Sequence, residues 1–319
     1  MPFQIIQGDI TKLKCDAIVN ATNCSFQPSG GLDAAVHEAA GKELLAFHQG
    51  HGTIKVGTAK LTPAFGLPCK LIIHTVGPHW QGGGAGEEAA LRSCYKECLR
   101  LAQASKCESV AFPLISSGHY GVPKEISLQA ALTEMKQFLF ENEMTVYLVL
   151  FERSDCPVEE LRQRRLHSYV SHRDETFSPR VLCERRIVED YEVCDMGEGE
   201  FLQQQNEGFA LTLMRLIDEK GMDDVECYKK ANVSRQTWHK IVNDGNYQPN
   251  KRTAISFALA LELDLEDAQN LLATAGYVLS KSSRFDLIVM YCLLNGIYDV
   301  YSVDMYLFRN GEETLASKM

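Results

Sequence analysis

The sequence predicts an α/β module followed by a smaller all-α module, and three observations carry that prediction. Short β-branched runs alternate with longer amphipathic ones through about residue 172, the pattern of a sheet covered by helices. From about residue 206 to the end only helical periodicity remains. The length of 319 residues is about twice that of a typical domain of roughly 150 residues, so one core does not account for the whole chain.

Strands are expected at Phe3 to Ile6, Ala17 to Asn20, Thr58 to Thr62, Lys70 to Thr75, Ser109 to Phe112 and Met144 to Phe151. Their runs are too apolar to leave one face wet, so helices should cover both sides of the sheet. Helices are expected at Gly31 to Phe47, Gly86 to Ala104, Ile126 to Glu141 and Val158 to Val170. Each carries apolar residues at three- and four-residue spacing, as in Leu91, Cys94, Cys98 and Leu101. Residues 173 to 205 lose any sustained period and read as an acidic linker. Residues 206 to 319 form the helical module, with the Tyr- and β-branched-rich stretch Phe285 to Phe308 carrying the weakest helical pattern.

Composition narrows the function classes. The chain is 45% hydrophobic and 23% charged, with a net charge of -10, which excludes a wholly disordered chain and a uniformly basic nucleic-acid binder. By segment, residues 1–172 hold 16 basic and 17 acidic residues while 173–200 hold 4 and 9, so the first module is near neutral and does not repel an anion. No run approaches the roughly 20 apolar residues of a membrane span, and the N-terminus lacks a signal-peptide pattern, so a cytoplasmic protein is expected. The 11 cysteines include no C-x-x-C pair and read as reduced thiols.

Four loops fall where strand patterns end, the place where open α/β sheets bind ligands. Gly8-Asp9-Ile10-Thr11 supplies a carboxylate that, taken alone, is a turn cap. Val19 to Asn23, which includes Asn20, leads through Cys24 to Pro28 into Ser29-Gly30-Gly31-Leu32-Asp33, a turn opening a helix, where backbone N–H groups approach an anion. Asp33 alone complements the helix dipole. His37, one turn later on the same face, alone reads as a packed, hydrogen-bonded histidine. The loop Ile115 to Gly121 presents Ser116, Ser117, Gly118, His119 and Tyr120, donors and a flat ring suited to a diphosphate. Phe151 ends the last strand, where an aromatic is usually core but is also placed to stack on a base.

Together these loops resemble the macrodomain family over about residues 1–172. The family pattern of a GDIT turn, a VNAAN strand end, a glycine run ending in VDGAIH, an IHTVGP strand and an ISTGxYG loop has counterparts here. They are Gly8 to Thr11, Val19 to Asn23, Gly30 to His37, Ile73 to Pro78 and Ile115 to Gly121. The resemblance implies a three-layer α/β/α fold with a mixed central sheet, and a cleft for ADP-ribose. It implies that Asp9 accepts from the adenine amino group with Ile10 beside the base and Phe151 stacked on it. Gly30, Gly31 and Leu32 would meet the distal phosphate and ribose, and Ser116 to Tyr120 would wrap the diphosphate.

The Asn23-to-Asp33 spacing further resembles the MacroD-like hydrolase subgroup. This implies that Asn23 and Asp33 are catalytic, with Asn23 fixing the distal ribose and Asp33 holding a water or hydroxyl. No cofactor and no metal are implied. The chain departs from the family at Phe26-Gln27-Pro28-Ser29, which occupies the start of a longer glycine run, at Ala34 after Asp33, and at Ser117 and His119 in the second loop.

In the helical module, Asp223 to Val242 reads as helix, turn at Asn232-Val233, and helix capped by Ser234. It resembles the helix-turn-helix of phage-repressor-like proteins. That implies Arg235, Gln236, His239 and Lys240 as DNA-contacting residues, although such folds also bind proteins and the neighbouring helix is acidic. The expected function is an ADP-ribosyl hydrolase or O-acetyl-ADP-ribose deacetylase. The alternatives are a non-catalytic ADP-ribose reader and an ADP-ribose-sensing DNA regulator.

Overall fold

The computed structural model describes residues 2–49, 53–157, 160–175, 208–244 and 247–316. Segment 176–207, most of the expected linker, lies outside the described residues. Two compact units result: residues 1–158 with 308–319, and residues 159–307.

The first unit is built on a six-stranded sheet in the order β1-β6-β5-β2-β4-β3. The strands are β1 (Phe3–Gln7), β2 (Ala17–Ala21), β3 (Ala59–Pro63), β4 (Leu71–Thr75), β5 (Ser109–Phe112) and β6 (Thr145–Leu150). Only β3, at one edge, runs antiparallel to its neighbour; the other pairings are parallel. The sheet is therefore mixed and the fold α/β, as the alternating pattern predicts. Ile18, Ile72, Ala111 and Val149 turn to one face and join Val36, Ala40 and Leu44 in one core cluster. Those last three belong to α1 (Gly31–Ala40) and α2 (Lys42–Gln49). Elsewhere in the unit α3 (Glu87–Ala104) and α4 (Lys124–Glu141) pack together. There Tyr95 Oη lies 3.2 Å from Ser127 Oγ and accepts from Ile115 N at 2.9 Å.

One helix differs from expectation. Gly31 to Phe47 is two helices rather than one, because Gly41 takes a φ of 89° and stops α1, a backbone state that suits glycine at a helix end.

The second unit is all-α: α5 (Glu160–Glu175), α6 (Phe209–Glu219), α7 (Asp224–Lys230), α8 (Arg235–Asn243), α9 (Lys251–Ala260), α10 (Leu265–Thr274), α11 (Arg284–Leu294) and, but for its last two residues, α12 (Val300–Arg309). Helix α5, which periodicity attaches to the first module, belongs to this unit. Polar caps start its helices: the side chains of Asp223, Ser234, Asn250, Asp264 and Ser283 each accept a backbone N–H of the first turn. Asn232 turns the chain between α7 and α8 at a φ of 54°. Trp238 stacks on Tyr228 and touches Phe257, which also meets Phe209. Every cysteine among the described residues is a free thiol, and no described helix is long and apolar enough to cross a membrane.

Candidate functional site

The loops following β1, β2, β5 and β6 surround a cleft of about 960 Å³ in the first unit. Its position follows from the parallel sheet, since all four of these strands deliver their C-terminal ends to the same side.

At one end lie Asp9 and Ile10, with Phe151. Asp9 caps a short 3-10 turn: its carboxylate accepts from Thr11 Oγ1 at 2.7 Å and Thr11 N at 3.0 Å, with Lys12 Nζ at 3.4 Å. The Thr11 hydroxyl, then its N–H and Lys12, hold Asp9 below the usual carboxylate range against the opposing effect of burial. Phe151 is 74% exposed, an orientation that leaves a large ring face uncovered at a strand end. Nearby, Lys124 Nζ donates to Asp155 Oδ1 at 2.6 Å. Burial works against Asp155 ionising, but Lys124 and the Glu152 N–H outweigh it and keep the carboxyl low.

The middle of the cleft is a donor surface. Gly31, Leu32 and Asp33 open α1, so their N–H groups have no acceptor within the helix. Gly30 and Gly31 adopt φ of 93° and 54°, with no atom within 4 Å of where a Cβ would sit. Across from them run Ser116 to Tyr120. Among the described residues, the N–H groups of Gly118, His119 and Tyr120 meet no protein acceptor. An anion between the two walls would be met from both sides, with the helix dipole adding to the attraction. The Tyr120 ring stacks on His79 at 3.7 Å. Burial pushes its phenol up, with Cys24 and Asp33 adding to the shift.

Asp33 closes the far end. It is 2% exposed, and its Oδ2 accepts from Ser29 N and Ser29 Oγ, both at 3.0 Å. Its Oδ1 accepts from Asn20 Nδ2 at 2.7 Å, with His37 Nε2 at 3.8 Å.

Twelve of the fifteen expected cleft residues line it: Asp9, Ile10, Gly30, Gly31, Leu32, Asp33, Ser116 to Tyr120, and Phe151. Asn20, Asn23 and His37 do not. Asn20 and His37 sit behind Asp33. Asn23 spends its side chain on its own turn: Oδ1 accepts from Ser25 N, Ser25 Oγ and Gln27 N, and Nδ2 donates to Gln27 O at 2.6 Å. Phe26, which departs from the family pattern, is buried at a φ of 56° and meets His74 edge-on. Thr22, Gly77 and the Lys124–Asp155 pair also line the cleft and were not singled out from sequence. Gly77 had a signal in the Val-Gly-Pro step after β4; the ion pair, formed across 31 residues, had none. Among the described residues no group of His, Cys, Asp and Glu is arranged to hold a metal ion.

In the helical unit Arg235, Gln236, His239 and Lys240 are all exposed on α8, and Arg235 Nε approaches His239 Nε2 at 3.3 Å.

The family model described as Macro domain matches residues 19–131. A macro domain-containing protein of Methanosarcina mazei is 46% identical over 156 residues, covering 48% of this chain and 83% of the relative. A Salmonella typhimurium protein named O-acetyl-ADP-ribose deacetylase is 43% identical over 156 residues, 47% of this chain and 87% of its own length. An Oceanobacillus iheyensis macrodomain solved with ADP is 36% identical, covering 53% of this chain and 92% of that one, with a TM-score of 0.46.

Proposed function

The chain belongs to the macro domain family, and we propose that its cleft binds ADP-ribose and hydrolyses ester-type linkages to it, releasing ADP-ribosyl groups from modified proteins or acetate from O-acetyl-ADP-ribose. The observation that carries this reading is the carboxylate of Asp33, held at the N-terminal turn of α1 at the end of a donor-lined cleft. The relative named O-acetyl-ADP-ribose deacetylase, matched over most of its length, supports it.

In this reading the nucleobase lies between Asp9 and Phe151, and the diphosphate lies between the α1 N-terminus and Ser116–Tyr120. The distal ribose then reaches Asp33. Hydrolysis consumes one water: a C–O bond of the ester breaks, and the leaving carboxylate departs with the ADP-ribose hydroxyl regenerated. The Asp33 carboxylate, which accepts from Ser29 and Asn20, orients the water or the ribose hydroxyl. Asn23 contributes by shaping the turn that delivers Ser29 to Asp33.

The test is release of ADP-ribose or acetate from a panel of ADP-ribosylated proteins and O-acetyl-ADP-ribose. Asp33→Ala is expected to lose turnover by roughly 10²- to 10⁴-fold while keeping ADP-ribose affinity. Wild type that binds ADP-ribose but never turns over would make the protein a reader instead.

A second reading concerns the helical unit. The four exposed polar side chains on α8 support contact with duplex DNA. Salt-dependent binding that Arg235→Ala and Lys240→Ala weaken would support it, and no binding at low salt would sink it.

A further inference from the structure

Asp33 has a nearly complete set of donors. A carboxylate offers about four lone-pair positions. Ser29 fills both on Oδ2 and Asn20 fills one on Oδ1. His37 Nε2, at 3.8 Å, is too far for a hydrogen bond. One position on Oδ1 is left for whatever occupies the cleft, and its direction is set by the Asn20 amide.

Asn20 is itself held from behind. Its Nδ2 carries two hydrogens, and it lies 2.7 Å from Asp33 Oδ1 and 3.3 Å from His74 Nδ1. Reversing the amide would set an oxygen against the carboxylate, so Nδ2 faces Asp33 and His74 Nδ1 must accept. The His74 proton then sits on Nε2, which faces Thr62 Oγ1 at 3.0 Å. The Thr62 hydroxyl donates onward to Pro63 O at 3.0 Å. Every hydrogen in this chain has one direction. It crosses from β3 through β4 and β2 to α1, and none of Thr62, His74, Asn20 and Asp33 is more than 4% exposed. The Phe26 ring edge, 5.7 Å away at 87°, packs against the imidazole. Among the described residues Asn20 Oδ1 has no partner, a cost that an apolar residue at this position would avoid.

We propose that His74 and Thr62 are positioning residues for the reaction, acting through Asn20 to fix the open Oδ1 position of Asp33 toward the substrate. This rests on the hydrolase reading. His74 is neutral, protonated on Nε2, and touches no ligand. Loss of its Nδ1 acceptor frees the Asn20 amide to turn, and Asp33 loses its aim while the ADP-ribose contacts stay intact.

The experiment compares His74→Phe, which removes the acceptor, with His74→Asn, whose amide oxygen can stand where Nδ1 stands, and with Thr62→Val. Each is measured for kcat and KM on the preferred substrate and for ADP-ribose affinity. Long-range ¹H–¹⁵N spectra of histidine-labelled wild type, with His74→Asn as the assignment, report the tautomer. Expected are an Nε2-protonated His74 and a kcat lowered roughly tenfold to a hundredfold in His74→Phe and Thr62→Val. ADP-ribose affinity should be unchanged, and His74→Asn should recover most of the rate. If His74→Phe does not fold, Thr62→Val and His74→Asn carry the comparison. An Nδ1-protonated His74, an unchanged kcat, or affinity falling in step with kcat overturns the proposal. Wild type without turnover overturns the hydrolase reading itself, a result separate from these because the spectra still judge the chain.

Discussion

Gly77→Ala tests how tightly the cleft is assembled. Gly77 follows β4 with an ordinary φ, so the substitution imposes no backbone strain; the conflict is one of space. An added Cβ would fall on Ser116 Oγ and lie 2.9 Å from Ile115 Cγ2. Neither neighbour yields easily. Ile115 is fully buried and Ser116 is 8% exposed, at a φ of 62° that side chains rarely adopt. The β5 loop must therefore move outward, a rearrangement of the overpacking kind that costs about 1–3 kcal/mol. At about 2–4 °C per kcal/mol for a domain of this size, the melting temperature should fall by roughly 2–12 °C. The same loop is the wall facing α1, so withdrawing one of its donors from a phosphate should weaken ADP-ribose roughly tenfold or more. Melting by circular dichroism and titration calorimetry with ADP-ribose read the two effects. A variant with wild-type melting and wild-type affinity would refute the packing argument.

Further predictions follow from other elements. Phe151→Ala, removing an exposed ring, should leave melting nearly unchanged and weaken ADP-ribose roughly fivefold to a hundredfold through lost base stacking; equal affinity by calorimetry would count against the base lying there. Glu87 accepts from its own backbone N–H and from those of Gln81, Ala85 and Gly83, which hold its carboxyl below the ordinary 4.5. Because the folded-state value is the depressed one, its stabilisation is complete above 4.5 and fades as pH falls through that value toward the folded one. The melting difference between wild type and Glu87→Gln should shrink accordingly in acid, and a pH-independent difference would contradict this. Asn232→Ala places a Cβ-bearing residue without a turn-forming side chain at a φ of 54° and should cost the helical unit about 1–2 kcal/mol, measured by urea unfolding.

The strands were legible to within a residue or so because each is a compact β-branched run bounded by turn residues. The break at Gly41 was not, since a single glycine inside a helical period is ambiguous until its φ is known. Around Asp33 the residue types were readable and their orientation was not. Asn20 shares parity with Ile18 on β2, so it faces α1 along with the core; strand parity alone would have turned it toward Asp33. Asn23 lies beyond the strand, where parity lapses and a side chain is free to bond its own turn. His74 sat inside a motif whose apolar neighbours hid a polar chain spanning three strands, and no local pattern encodes such a chain. The attachment of α5 to the helical unit was equally hidden, because amphipathic spacing states that a face is buried and not against what.

The strand order also turns the sheet into a ruler. Adjacent strands lie about 4.8 Å apart, and three steps separate β1, which leads to Asp9, from β2, which leads toward Asp33, a span of about 14 Å. A ligand anchored by its base at the β1 end is thus measured in whole strands. In the proposed binding mode a mononucleotide would stop short of β2, whereas a ligand with a diphosphate and a second sugar would bring its far end to the carboxylate. Hydrogen-bonded strand spacing does not stretch to suit a different ligand, so in that mode the span is set by the backbone and not by the side chains along the cleft.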